Sequence, residues 1–151
     1  MSLANDIDLL SKVPVFEGMN DEQLRLIAFG TEKRRLSAGQ VLFKQYSPAE
    51  CAYIITSGTV ELSVEAKNGA LETLYVVGPG AMLSELALFT LCERKYTAMA
   101  SEEVEVFRIT RVIFHRLVEE YPKIGELVIQ RIQNNIAELA SGAASLQHRF
   151  M

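Results

Sequence analysis

Two ionisable side chains stand in the stretch of this sequence best suited to holding a ligand. Glu85 lies in Ser84-Glu85-Leu86-Ala87-Leu88-Phe89, and Arg94 follows nine residues after it, with Thr97-Ala98 just beyond. A short helix starting here would present unpaired backbone N–H groups and a partial positive charge to an anion. Arg94 would add a fixed cation and a charge-assisted hydrogen bond. Taken singly, each has a plainer reading: Arg94 as a surface arginine, Glu85 as a helix-start acid favoured by the dipole.

Other reactive side chains are sparse. Cys51 and Cys92 have no histidine close in sequence and no strand-turn-helix nucleophile elbow, so nucleophilic catalysis is not expected. Only His115 and His148 exist, both in predicted helices, too few for the histidine-carboxylate cluster of a metal-dependent β-barrel enzyme. The expectation is a protein without catalytic residues, metal or cofactor. The two cysteines have no paired spacing and are expected to be reduced thiols in a cytoplasmic protein.

The net charge of -4 and a pI near 5.3 argue against DNA, whose phosphates call for dense Lys and Arg. No basic leader precedes an apolar run, and no stretch approaches the ~18 apolar residues that would suggest a membrane span. At 151 residues and 49% hydrophobic, the chain is expected to fold as one domain, residues 1–151, with no effector domain.

The elements that must carry Glu85 and Arg94 read mainly as strands. Asn20-Asp21-Glu22-Gln23 is a capping signal for a helix with Leu24, Leu26 and Ile27 on one face, which Gly30 would close in a left-handed turn. Short β-rich runs follow: 41–43, 52–56, 59–64 and 71–77. They are broken by Ser37-Ala38-Gly39, Ser57-Gly58 and Asn68-Gly69, the last a tight-hairpin dipeptide. After Gly78-Pro79-Gly80 an interrupting piece, 82–89, precedes two more β-rich runs, 95–100 and 104–109. The result is an antiparallel barrel over about 31–109 with helices over about 111–148, one of them starting at Pro122. Ile129, Ile132, Ile136, Leu139, Ala143 and Leu146 alternate steps of three and four, the seam of a parallel helix pair, and predict a homodimer. The alternative is that this stripe packs on its own barrel.

The segment around Glu85 and Arg94 resembles the phosphate-binding cassette of the cyclic-nucleotide-binding family, which includes the catabolite activator protein and the regulatory subunits of cyclic-AMP-dependent kinase. The resemblance runs in order from about residue 10 to 132. It takes in Pro14-Val15-Phe16, Ala38-Gly39-Gln40, Tyr53-Ile54-Ile55 with Ser57-Gly58, Gly78-Pro79-Gly80 and the cassette. It implies a β-roll or jelly-roll barrel with an N-terminal helix and C-terminal helices. It also implies a cyclic-nucleotide ligand, cAMP or cGMP, held by Ser84, Glu85, Leu86, Ala87, Arg94, Lys95, Tyr96 and Thr97. The amides of Leu86 and Ala87 would face the phosphate, Arg94 would pair with an exocyclic phosphate oxygen, and Glu85 would accept from the ribose 2'-OH.

Three places depart from the family pattern. Ser84 replaces a glycine found in many members, and its side chain either crowds the anion or donates to it. Lys95 and Tyr96 replace small residues, and Lys95 either strengthens phosphate binding or points to water. Gln45-Tyr46-Ser47 stands where the family usually places a glycine and an acid. Two functions follow from the resemblance: a regulatory cyclic-nucleotide sensor signalling to an unidentified effector protein, or a degenerate barrel that serves as a dimerisation or interaction scaffold. In the sensor, ligand would close the helix from Pro122 over the pocket.

Overall fold

The computed structural model describes residues 3–141, with side chains described over 5–133. Helix α1 (Leu3–Ser11) leads through a 3-10 turn at Pro14–Phe16 to α2 (Asp21–Gly30). Ten strands follow: β1 (Glu32–Leu36), β2 (Val41–Phe43), β3 (Pro48–Ala49), β4 (Cys51–Ser57), β5 (Val60–Glu65), β6 (Leu71–Val77), β7 (Met82–Leu83), β8 (Cys92–Glu93), β9 (Thr97–Ala100) and β10 (Val104–Thr110). Helices α3 (Arg111–Glu120) and α4 (Pro122–Ser141) close the described chain.

All strand pairs are antiparallel and fall into sheets ordered β1-β10-β4-β7 and β2-β9-β5-β6, with a small β3-β8 ribbon. The result is a roll of two sheets rather than a closed barrel. Strand β4 explains the architecture. Side chains alternate faces along a strand, and Cys51, Tyr53 and Ile55 join a core with Phe43, Leu62 and Ala98 from the other sheet and with Tyr96 just before β9. Ala52 and Ile54 face the opposite way, into a second core with Phe16, Leu24, Phe114 and Val128 from the helices. A strand covered on both faces must be apolar throughout, and Cys51 to Ile55 are all buried.

The Asn20 capping box forms as the sequence predicts. Asn20 Oδ1 accepts from the Gln23 N–H at 2.9 Å, and the Asn20 N–H donates to Gln23 Oε1 at 2.9 Å. Gly30, however, closes no left-handed turn: it is the last residue of α2, and Thr31, in extended conformation, caps the helix. Its role is close approach, because a Cβ there would meet Ile113 Cγ2 at 2.3 Å.

The Asn68-Gly69 hairpin also differs from the two-residue form. Ala66 and Ala70 pair across it, the Gly69 N–H donates to the Ala66 carbonyl at 2.9 Å, and of Asn68 and Gly69 only Gly69 has positive φ. This is a three-residue loop ending in a left-handed glycine. Strand β1 has no apolar signature, since Glu32, Lys33, Arg34 and Arg35 are exposed. It forms because β10 offers a free edge, and its charges suit an edge strand; Arg35 and Glu32 reach Glu105 and Arg108 on β10.

Candidate ligand-binding site

The cassette is a single 3-10 turn, Glu85–Leu88, set between β7 and the β3-β8 ribbon. Its entry residue Ser84 has φ 64 and ψ 44, in the left-handed region. Tyr46 has φ 71, and these two are the positive-φ non-glycine residues among those described. Ser84 occupies a position where the resemblance leads one to expect glycine, and Tyr46 lies in the turn where it leads one to expect a glycine and an acid. The backbone thus keeps a glycine-like shape without the glycine, which costs roughly 1–2 kcal/mol at each position.

The 3-10 geometry revises the role of the amides. The Ala87 N–H donates to the Ser84 carbonyl at 3.0 Å, so it is spent inside the turn and does not face an anion. The turn's own i to i+3 pairing causes this, since it takes up every donor after the first three. Leu86 and Phe89 pack partly buried against the helical core, where Phe89 meets Phe114 of α3 edge-on at 4.9 Å.

Arg94 is not a surface arginine: it is 4% exposed. One terminal nitrogen, Nη1, donates to the Cys51 carbonyl at 2.9 Å, and Nη2 lies 3.3 Å from Cys51 Sγ. The guanidinium carbon stands 4.5 Å from the Phe43 ring centroid and 5.3 Å from that of Tyr53. Cation–π contact and the bonds to the Cys51 carbonyl and sulfur offset part of the cost of burying a charge. Nε has no hydrogen-bond partner and is buried. The backbone of Arg94 is clamped as well: its N–H donates to Ser47 and its carbonyl accepts from Tyr46, both at 2.8 Å. The turn that departs from the family pattern thus fixes the arginine.

The other predicted contacts are distributed unevenly. Glu85 is half-buried at the start of the turn. Lys95 is exposed, which favours the solvated alternative. Thr97 is buried and its Oγ1 accepts from the Gln45 N–H at 3.0 Å, so it braces the neighbouring turn. Tyr96 is 5% exposed and lies against Phe43 with ring centroids 5.7 Å apart. Burial drives its phenol well above the ordinary range, Glu85 adds to the rise, and hydrogen bonding from Ser84 and the charge of Arg94 oppose it. The residues that sequence reasoning did not assign to the site are Phe43, Cys51 and Tyr53. Their signal is their inward phase on β2 and β4, legible only once the partner of each face is known.

With the cassette and Arg94 in place, the comparisons with known proteins are decisive. The family model described as the cyclic nucleotide-binding domain matches residues 33–121, more than half of the chain. The chain belongs to that family. A structure of a cyclic nucleotide-binding-like protein from Brucella abortus is 47% identical, with TM-score 0.70, and the match covers 76% of this chain and 98% of that one. The catabolite activator protein of Thermus thermophilus is 25% identical with TM-score 0.75, over 84% of this chain and 60% of that one. Among curated relatives, a lysophospholipase of Chaetomium globosum is 29% identical over 111 residues, which is 71% of this chain and 7% of that protein. A CRP-like cAMP-activated global transcriptional regulator of Mycobacterium tuberculosis is 24% identical over 139 residues, 87% of this chain and 62% of that protein. The chain therefore spans only part of the length of these curated relatives.

The predicted dimer seam is divided. Ile132 is 3% exposed and is built into the helical core of its own chain, so it is not available to a partner. Ile129 is 38% exposed. The side chains of Ile136 and Leu139, and all of Ala143, Leu146 and His148, lie outside the described residues. Both cysteines are free thiols, Cys51 buried and Cys92 half-buried. Among the described residues no cluster could hold a metal ion, and no helix is long and apolar enough to cross a membrane.

Proposed function

We propose that this domain binds a cyclic nucleotide, cAMP or cGMP, and acts as a regulatory module that performs no chemistry itself. The observation that carries the reading is Arg94: a guanidinium 4% exposed, held by the carbonyl and sulfur of Cys51 and two ring faces, with Nε unpartnered. A buried cation with spare donor capacity is matched by a monoanionic phosphate, whose oxygens accept charge-assisted hydrogen bonds. Glu85 would accept from the ribose hydroxyl, a role compatible with a carboxylate near a phosphate only through such a bond. The Mycobacterium relative's description as cAMP-activated supports the same ligand class.

The relay from site to surface runs through α3. Phe89 of the cassette packs on Phe114, and Arg111 at the start of α3 donates to the carbonyls of Ala87 and Thr90. A partner protein would read a shift of α3 and α4, and a homodimer through α4 would use Ile129 and residues beyond it.

Calorimetric titration with cAMP and with cGMP tests the reading. Saturable binding of one of them is expected, weakened about 10- to 100-fold by Arg94→Ala, as loss of a charged hydrogen bond implies. Absence of binding to either nucleotide would leave the scaffold function, which Tyr96 and Ser84 at the site would then favour.

A further inference from the structure

We propose that Tyr96 is a built-in competitor for the Arg94 site: its buried side chain stands where the anion must enter, and ligand binds only when Tyr96 swings out. This rests on the reading of Arg94 as the anion-binding cation. At the bend before β9 burial alternates: Arg94 and Tyr96 are buried and Lys95 between them is exposed. Both buried side chains therefore enter the same inter-sheet core, and both lie on one ring: Phe43 is 4.5 Å from the guanidinium carbon and 5.7 Å from the Tyr96 centroid.

The far end of Tyr96 reaches the cassette. Its hydroxyl lies close to Ser84, and near enough to Glu85 and Arg94 to feel both charges. The phenol thus bridges from the aromatic cluster that seats Arg94 to the left-handed residue that opens the cassette. An anion touching both Arg94 and the cassette would need that same bridge. The phenol oxygen is a neutral acceptor standing in for part of what the ligand would supply.

A self-occupied site behaves as a two-state equilibrium, and only the open fraction binds. If Tyr96 is out about one-tenth of the time, the apparent affinity is about 10-fold below the intrinsic one. Tyr96 is then the residue that sets the sensor's threshold.

The experiment compares cAMP and cGMP isotherms for the wild type, Tyr96→Ala, Tyr96→Phe and Arg94→Ala, with amide exchange at residues 84–87 measured without nucleotide. The expected result is binding about 10-fold tighter for Tyr96→Ala. Tyr96→Phe keeps the ring in the core; it is expected to bind tighter by a smaller factor and to exchange faster at Ser84, and it decides the matter if Tyr96→Ala does not fold. Wild-type binding lost in Arg94→Ala but not improved by either Tyr96 substitution would overturn the competitor and leave the sensor standing. No binding by any variant would overturn the sensor and the competitor together.

Discussion

Arg111 offers the sharpest test of how the cassette is tied to the helices. Its Nε donates to the Ala87 carbonyl at 2.9 Å, and its Nη2 donates to the Ala49 and Thr90 carbonyls, both at 3.0 Å. One guanidinium therefore joins α3, the 3-10 turn and β3. Arg111→Met keeps the length of the aliphatic stem but removes all three donors. A hydrogen bond to a charged group contributes about 1.5–3 kcal/mol; since the Thr90 bond is exposed and the three share one side chain, the total should be about 3 kcal/mol. For a chain of this size that corresponds to a fall in Tm of roughly 6–12 °C. Differential scanning calorimetry reads the stability, and hydrogen exchange should quicken selectively over residues 86–90. A Tm within about 2 °C of the parent, with unchanged exchange in the cassette, would refute the view that Arg111 is the tie.

Gly30→Ala should destabilise in spite of its better helix propensity, because the new Cβ would sit 2.3 Å from Ile113 Cγ2 on a stiff β-branched side chain. Overpacking of about 1–3 kcal/mol exceeds a helical gain of about 1, and Ile113→Ala in the same chain should recover part of the loss in urea unfolding. Alkaline stability follows from the buried phenols. Tyr53 and Tyr96 are both held above their ordinary value of 10.0, chiefly by burial. The folded state then keeps protons that the unfolded chain releases, so their contribution is complete below about pH 10 and declines as the pH rises further. Urea midpoints measured from pH 8 to 11 should fall more steeply for the parent than for Tyr96→Phe; parallel profiles would contradict the burial of Tyr96.

How far the sequence could be read depends on the range of each interaction. Strands β2 and β6 lie where their apolar runs place them, and the capping box at Asn20 forms, because capping and side-chain alternation are set within a few residues. The cassette and Arg94 were legible as an ordered pattern along the chain. Strand β1 was not, since a charged run becomes a strand only when a distant edge, here β10, accepts its hydrogen bonds. Nor was the role of Gly30, which depends on Ile113 lying against α2. The seam predicted from Ile132 lost that residue to the chain's own helical core, a choice that helical spacing alone cannot make.

The sequence by itself therefore determined the family and the mainly β architecture, and it singled out Glu85 and Arg94 as the candidate charged residues of the site. Only the tertiary structure decided that Arg94 points inward onto Phe43 and Tyr53, that Ser84 and Tyr46 adopt a glycine's backbone, and that Tyr96 lies buried against the same Phe43 ring. The physical reason is that type and spacing are local properties. Which face of a strand turns toward which neighbour, and so whether a cation is solvated or buried, is fixed by packing between residues far apart in the chain.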